Sequence, residues 1–143
     1  MPRVDHVVFR VADLERSIAF YERVLPARVI ARRDGRDRWR SRVVWLQPDG
    51  QEGFAVVLIQ PTRVRWVLRV LHALTPRVAR SFEHFGLACG SREEVEARYA
   101  TALQHGARPL NAPAFIDERS GFVSEVADPD GNPIEWTFGQ RWG

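Results

Sequence analysis

The order of hydrophobic and polar positions along the chain predicts a strand, then a helix, then three strands. Residues 4–11 are rich in β-branched side chains, which favour strands. Apolar residues then recur at helical spacing behind Asp13, a residue type that caps helices, and Pro26 ends this pattern. The apolar positions of the predicted helix are Leu14, Ile18, Tyr21 and Leu25. The three following strands are predicted near 28–33, 38–47 and 54–60.

The second half of the chain repeats this order. A strand is predicted at 82–90, and Ser91 to Glu94 has the pattern of a helix capping box. The helix should end near His105, because Gly106 stands where a C-terminal cap is expected. Three more strands are predicted near 107–111, 121–128 and 132–138.

Matching residues support an internal repeat. The acid–histidine pair Asp5-His6 corresponds to Glu83-His84, and the turn Pro48-Asp49-Gly50 corresponds to Pro129-Asp130-Gly131. Self-similarity at a fixed offset indicates duplicated structural units. The two halves are therefore expected to share one plan.

The repeat sets the predicted organisation of one domain, residues 1–143. Module one spans 1–60 and module two spans 82–143. The stretch 61–81 has no counterpart in the repeat and carries apolar residues at helical spacing, which predicts an inserted amphipathic helix. Its apolar positions are Trp66, Val67, Val70, Leu71 and Leu74.

Composition narrows the chemistry. A chain of 143 residues with 45% hydrophobic and 27% charged residues is long enough to bury a core without a disulfide framework. Cys89 is the one cysteine, which excludes an internal disulfide and multi-cysteine zinc modules. All 21 basic residues are arginine, so lysine Schiff-base chemistry and the lysine of phosphate-binding loops are excluded.

Charge and hydropathy give expectations about location and partners. No apolar run approaches the length of a membrane helix, and the N-terminus lacks an apolar signal core, so we expect a cytoplasmic protein without a membrane partner. The net charge is +3, and arginines concentrate between Arg28 and Arg42. A nucleic-acid site is one interpretation of that cluster, but arginines along a hairpin are more typical of a solvated strand edge.

Strand parity sets three polar side chains apart. Because successive side chains of a strand point to opposite faces, the apolar positions leave His6, His84 and Glu135 on the faces not packed against a helix. Two imidazoles and one carboxylate can hold a divalent metal ion on one side and leave other positions open. Gly86 and Ala88 beside His84 leave room for a ligand. Each polar residue has the alternative of an ordinary structural role, but core packing does not favour matching histidines in two repeats.

Three segments resemble the vicinal oxygen chelate superfamily: Asp5 to Tyr21, the Glu83-His84 strand, and Asp128 to Trp136. This group includes glyoxalase I, bleomycin resistance proteins, fosfomycin resistance transferases and extradiol dioxygenases. The resemblance covers nearly the whole chain except 61–81. It implies an α+β fold in which two paired βαβββ modules form a curled mixed sheet around a cup-shaped site.

The resemblance also implies a ligand set. Its metal positions fall on the first and last strands of each module, which here gives His6, His84 and Glu135, with a fourth position near Leu58. Residues 54–60 offer no carboxylate or histidine, a departure from glyoxalase I that counts against a lactoylglutathione lyase. The expected cofactor is a divalent ion, with iron, manganese, zinc and nickel left open. We expect substrate contacts from Arg10, Trp45 and Leu58.

Two functions follow as hypotheses. The first is a metal-dependent lyase, transferase or dioxygenase that acts on a small oxygenated molecule through a His-His-Glu site. The alternative is a resistance protein that sequesters a drug or metabolite without chemistry, with tryptophans such as Trp45 as stacking surface. The metal ligands favour the first hypothesis, although no catalytic residue is assigned.

Three further points stay open at this stage. Glu125 is either a base or a surface glutamate, and we favour the surface interpretation. Residues 111–120 are expected to form a specificity loop. The modules pair either within one chain or between two chains of a homodimer, in which His6 of one subunit would join His84 and Glu135 of the other.

Overall fold

A computed structural model describes residues 4–35, 41–61 and 84–141, which form two compact units. Each unit contains a strand, a helix and three strands in that order. The first unit consists of β1 His6–Arg10, α1 Leu14–Val24, β2 Ala27–Asp34, β3 Arg42–Pro48 and β4 Ala55–Gln60. The second consists of β5 Phe85–Ala88, α2 Arg92–Gln104, β6 Arg108–Asp117, β7 Gly121–Ala127 and β8 Pro133–Phe138. Apart from Pro61, the predicted inserted helix at 61–81 lies outside the described residues.

The first sheet has the strand order β1-β4-β3-β2, with β1 parallel to β4 and the other pairs antiparallel. The Asp13 side chain caps α1 by accepting a hydrogen bond from the backbone N–H of Arg16, at 3.1 Å. One face of α1 is buried, and there the Tyr21 ring stacks on Phe9 of β1 with a centroid distance of 5.8 Å. This contact identifies the face of the sheet that packs under the helix.

The second sheet repeats that topology in the order β5-β8-β7-β6, with β5 parallel to β8. Ser91 caps α2 by accepting from the backbone N–H of Glu94, as the capping box predicts. The Glu94 carboxylate accepts a hydrogen bond from the backbone N–H of Gly90, one residue earlier than the capping-box pattern implies. Buried Ile134 and Trp136 of β8 complete the core of this unit together with Val95 of α2.

The predicted α+β class and the two βαβββ modules are confirmed. The two sheets remain separate four-stranded sheets and neither closes on itself. The prediction of a loop at 111–120 is wrong, because β6 continues to Asp117 and pairs with β7. Three register irregularities interrupt that pairing. Such irregularities break the alternation by which a strand is recognised in a sequence, so the pattern predicts the strand only to about residue 111 and not its continuation to Asp117.

We predict that Gly121→Ala destabilises the protein far more than Gly50→Ala. Both glycines have a left-handed backbone, with φ of +76° and +72°, so alanine costs about 1 kcal/mol at either position. At Gly121 an added Cβ would also overlap the backbone carbonyl oxygen of Phe138, whereas at Gly50 it meets nothing within 4 Å. Backbone displacement raises the expected loss at Gly121 to about 3 kcal/mol. Equal losses in denaturant unfolding of the two variants would contradict this explanation.

Candidate functional site

A row of residues crosses the second sheet at one level and on one face. In the strand register, Gly86 of β5 lies opposite Glu135 of β8, Glu135 lies opposite Glu125 of β7, and Glu125 lies opposite Asn111 of β6. His84 precedes Gly86 by two residues, which places its side chain toward the same face. The sheet therefore brings an imidazole, two carboxylates and an amide to one surface.

His84 and Glu135 meet at the β5 side of this row. The His84 Nε2 atom lies 3.5 Å from Glu135 Oε1, and their side chains are 41% and 18% exposed. Gly86 lies beside the pair, because a Cβ added there would be 3.8 Å from Glu135 Oε1 and 3.9 Å from the His84 ring. Two donor atoms bound to one ion at about 2.1 Å each stand roughly 3 to 3.5 Å apart. The pair therefore fits two adjacent positions of a metal ion.

The pKa of the Glu135 carboxyl is raised above its usual value. Burial is the largest cause, the nearby negative charge of Glu125 acts in the same direction, and the charge of His84 opposes both. A carboxylate that has lost part of its water and has a second negative charge nearby gains from a cation. The electrostatics of Glu135 therefore agree with the metal position predicted for it.

A concave pocket of about 440 Å³ opens beside the pair. Small-molecule sites have volumes of roughly 300 to 1,000 Å³, so the pocket can hold a small ligand. Its lining residues all belong to the second unit and combine small, polar and titratable side chains. They are His84, Gly86, Ala88, Cys89, Glu135, Thr137, Gly139 and Gln140.

The surface interpretation of Glu125 is wrong. Its side chain is 7% exposed and accepts a hydrogen bond from Asn111 Nδ2 at 2.7 Å. The sequence did contain a signal for this position. A hairpin centred on Asp130 places residues five before and five after the centre opposite each other, and these residues are Glu125 and Glu135.

His6 starts β1 in the first unit. Its Nδ1 lies 2.6 Å from Asp5 Oδ1, and its side chain is 51% exposed. Metal-binding histidines commonly use the other ring nitrogen to contact a carboxylate, which fixes the ring and its tautomer. His6 is thus held in the manner of a ligand whose Nε2 is directed away from its carboxylate partner.

The predicted substrate contact at Leu58 does not agree with its position in the sheet. Leu58 pairs with Phe9, whose ring stacks on the helix, and Leu58 has no exposed surface. It lies an odd number of residues from Ala55, the partner of His6, and therefore points to the opposite face. The β4 positions on the His6 face are Ala55, Val57 and Ile59.

Arg10 and Trp45 do lie on the His6 face of the first sheet. Arg10 is exposed at the end of β1, and Trp45 is half-buried in β3 opposite Val57. The guanidinium of Arg33 lies 5.6 Å from the centroid of the Trp45 ring. Arg42 of β3, the last arginine of the cluster noted in the sequence, forms an ion pair with Glu15, with Nη2 2.8 Å from Oε1.

Part of the predicted ligand set comes together in the structure. Within 4–35, 41–61 and 84–141, no group of three His, Cys, Asp or Glu side chains is arranged to hold a metal ion. His84 and Glu135 form a pair in the second unit, and His6 belongs to the first unit.

Neither helix in the described part of the chain has the length and apolar composition needed to cross a membrane.

We predict that Cys89 resists alkylation in the folded protein. Burial, helped by the charge of Glu94, raises the pKa of its thiol to about 11. At pH 8 the reactive thiolate fraction is then on the order of 100-fold smaller than for a free cysteine. The thiolate fraction of Cys89, and with it the labelling rate, should rise as the pH approaches 11. Mass spectrometry of iodoacetamide labelling measures the rate. Labelling as fast in the folded protein as in denaturant would contradict the prediction.

Solved structures share this fold. Glyoxalase I from Zea mays superimposes with a TM-score of 0.70 at 24% identity, over 99% of this chain and 45% of the maize chain. This chain thus spans less than half the length of the maize protein. The genomically encoded fosfomycin resistance protein FosX from Listeria monocytogenes gives a TM-score of 0.69 at 16% identity, over 98% of this chain and 95% of that chain.

Sequence comparisons identify the family. An uncharacterized protein from Pseudomonas aeruginosa is 33% identical over 144 residues, which cover 99% of this chain and 92% of that protein. The family model for the Glyoxalase/Bleomycin resistance protein/Dioxygenase superfamily matches residues 3–136. A match over nearly the whole length, with both repeats included, leads to one conclusion: the chain belongs to the Glyoxalase/Bleomycin resistance protein/Dioxygenase superfamily.

Proposed function

We propose that the protein is a divalent-metal-dependent enzyme that acts on a small oxygenated molecule, with His6, His84 and Glu135 as metal ligands. The observation that carries this proposal is the approach of His84 Nε2 to Glu135 Oε1, 3.5 Å apart beside a pocket of about 440 Å³. A purely structural ion pair has no need of the pocket that Gly86 lines next to it.

The donor set suits several ions. Imidazole nitrogen and carboxylate oxygen bind zinc, iron, manganese and nickel, so the residues do not distinguish among these metals. When bound, such an ion supplies Lewis acidity toward adjacent substrate oxygens. The His6 face of β4 carries Ala55, Val57 and Ile59, none of which can ligate a metal. Three protein ligands then leave open positions for two vicinal oxygens of a substrate.

Neighbouring residues orient the proposed ligands and keep the pocket beside them open. Asp5 holds the Nδ1 side of His6, which directs Nε2 outward. Partial burial of Glu135 limits its contact with water, and this strengthens its attraction to a cation. Gly86 and Ala88 keep the pocket beside His84 open to a ligand. Arg10 and Trp45, on the His6 face, are the proposed contacts for an anionic or planar part of the substrate.

His6 joins the pair either from the same chain or from a second copy. In the second case two chains exchange modules, and a homodimer carries two sites. The exposed His6 side chain, fixed by Asp5, is compatible with both arrangements. The reaction itself is of the lyase, transferase or dioxygenase type.

Sequestration of a drug without chemistry is the second candidate. The half-buried indole of Trp45 on the His6 face favours it, because planar aromatic drugs bind by stacking on such rings. This candidate requires no bound metal, which makes metal content the property that separates the two functions.

We predict near-stoichiometric metal in protein purified without chelator and a loss of at least about tenfold in occupancy in His84→Ala. His105→Ala is the matched control, because His105 caps α2 with its backbone and its side chain is exposed. Elemental analysis by mass spectrometry gives the occupancy. Metal-free wild-type protein that quenches its tryptophan fluorescence on binding bleomycin would support sequestration and reject the enzyme proposal.

A further inference from the structure

A second carboxylate adjoins the proposed metal pair without lining its pocket. Glu125 is 7% exposed and lies directly opposite Glu135 in the β7–β8 register. Opposed side chains in antiparallel strands have Cβ atoms about 5 Å apart. Like charges at that distance destabilise a sheet, and burial of a carboxylate adds to the cost. This arrangement therefore requires interactions that offset the cost of the two carboxylates.

The two carboxylates have partners on different neighbouring strands. Glu125 is bound on the β6 side, where Asn111 Nδ2 donates a hydrogen bond to its Oε2 at 2.7 Å. Glu135 is turned to the β5 side, where its Oε1 lies 3.5 Å from His84 Nε2. Gly86, which lies opposite Glu135, offers no side chain that would block this direction. Repulsion from a fixed Glu125 therefore favours the orientation of Glu135 that faces His84.

We propose that Glu125, held by Asn111, is a positioning residue that directs the Glu135 carboxylate toward His84 and strengthens the binding of a divalent cation by that pair. This inference rests on the proposed function, since it concerns the same metal site. Glu125 acts through orientation and through its negative charge, and it is not itself one of the three ligands. Removal of an outer partner that hydrogen-bonds a ligand typically weakens metal binding by 10- to 100-fold, and for Glu125, which acts through its charge, we expect the lower end of that range.

The test is titration of Zn²⁺ into metal-stripped full-length protein in competition with a chromophoric chelator. Glu125→Gln should weaken Zn²⁺ binding by about 10-fold or more. Asn111→Ala should weaken it in the same direction but less, because the charge of Glu125 remains. Glu96→Gln is the matched control: it removes one exposed negative charge from α2 and should change the affinity by less than about twofold.

Rescue distinguishes positioning from a structural role. Glu125→Asp keeps the charge, so its affinity for Zn²⁺ should lie within about threefold of the wild-type affinity. The unfolding midpoint of metal-free Glu125→Gln should not fall, because this substitution removes a like-charge pair. Unchanged affinity in Glu125→Gln, or equal weakening in Glu125→Asp, overturns the inference. If Glu125→Gln does not fold, unchanged Zn²⁺ affinity in Asn111→Ala overturns it. Wild-type protein that binds no Zn²⁺ overturns the proposed function and this inference with it.

Discussion

The parallel pairing of β5 with β8 is the constraint on which the rest of the candidate site depends. It sets Gly86 level with Glu135 and brings the histidine two residues earlier within 3.5 Å of that carboxylate. A shift of one residue in this register would turn Glu135 into the helix-packed core and bring Trp136 out. The buried side chains of Trp136 and Ile134 resist such a shift, because exposing them to water would cost the free energy of burying their apolar surface.

Much of the fold was predictable because its signals are local. The Asp13 and Ser91 caps, the apolar spacing in α1 and the internal repeat gave the order of elements in each module, and the structure confirms that order. For β6 only the first part, near 107–111, was predictable, since register irregularities hide the strand period of its continuation to Asp117. Sequence patterns report one element at a time, whereas a bulge is a property of two strands together.

The alternation of side chains along a strand made part of the site predictable, because it assigns each side chain to one face of the sheet. Parity correctly set His84 and Glu135 on one face, because each lies in a strand with clear apolar alternation. Parity gives no such signal for β4, because all of residues 55–59 are apolar and no alternation shows which face the helix covers, so the buried position of Leu58 could not be predicted in this way. The role of Glu125 required a further step, namely the pairing of two strands through the Asp130 hairpin.

The two modules share one backbone plan but differ in what they display on it. In the second sheet the level of Glu135 carries acids and an amide, while β4 of the first sheet carries only Ala55, Val57 and Ile59 on its His6 face. The chemistry of such a scaffold can therefore differ through a few side chains on one face of each sheet, and relatives with the same architecture need not share a reaction.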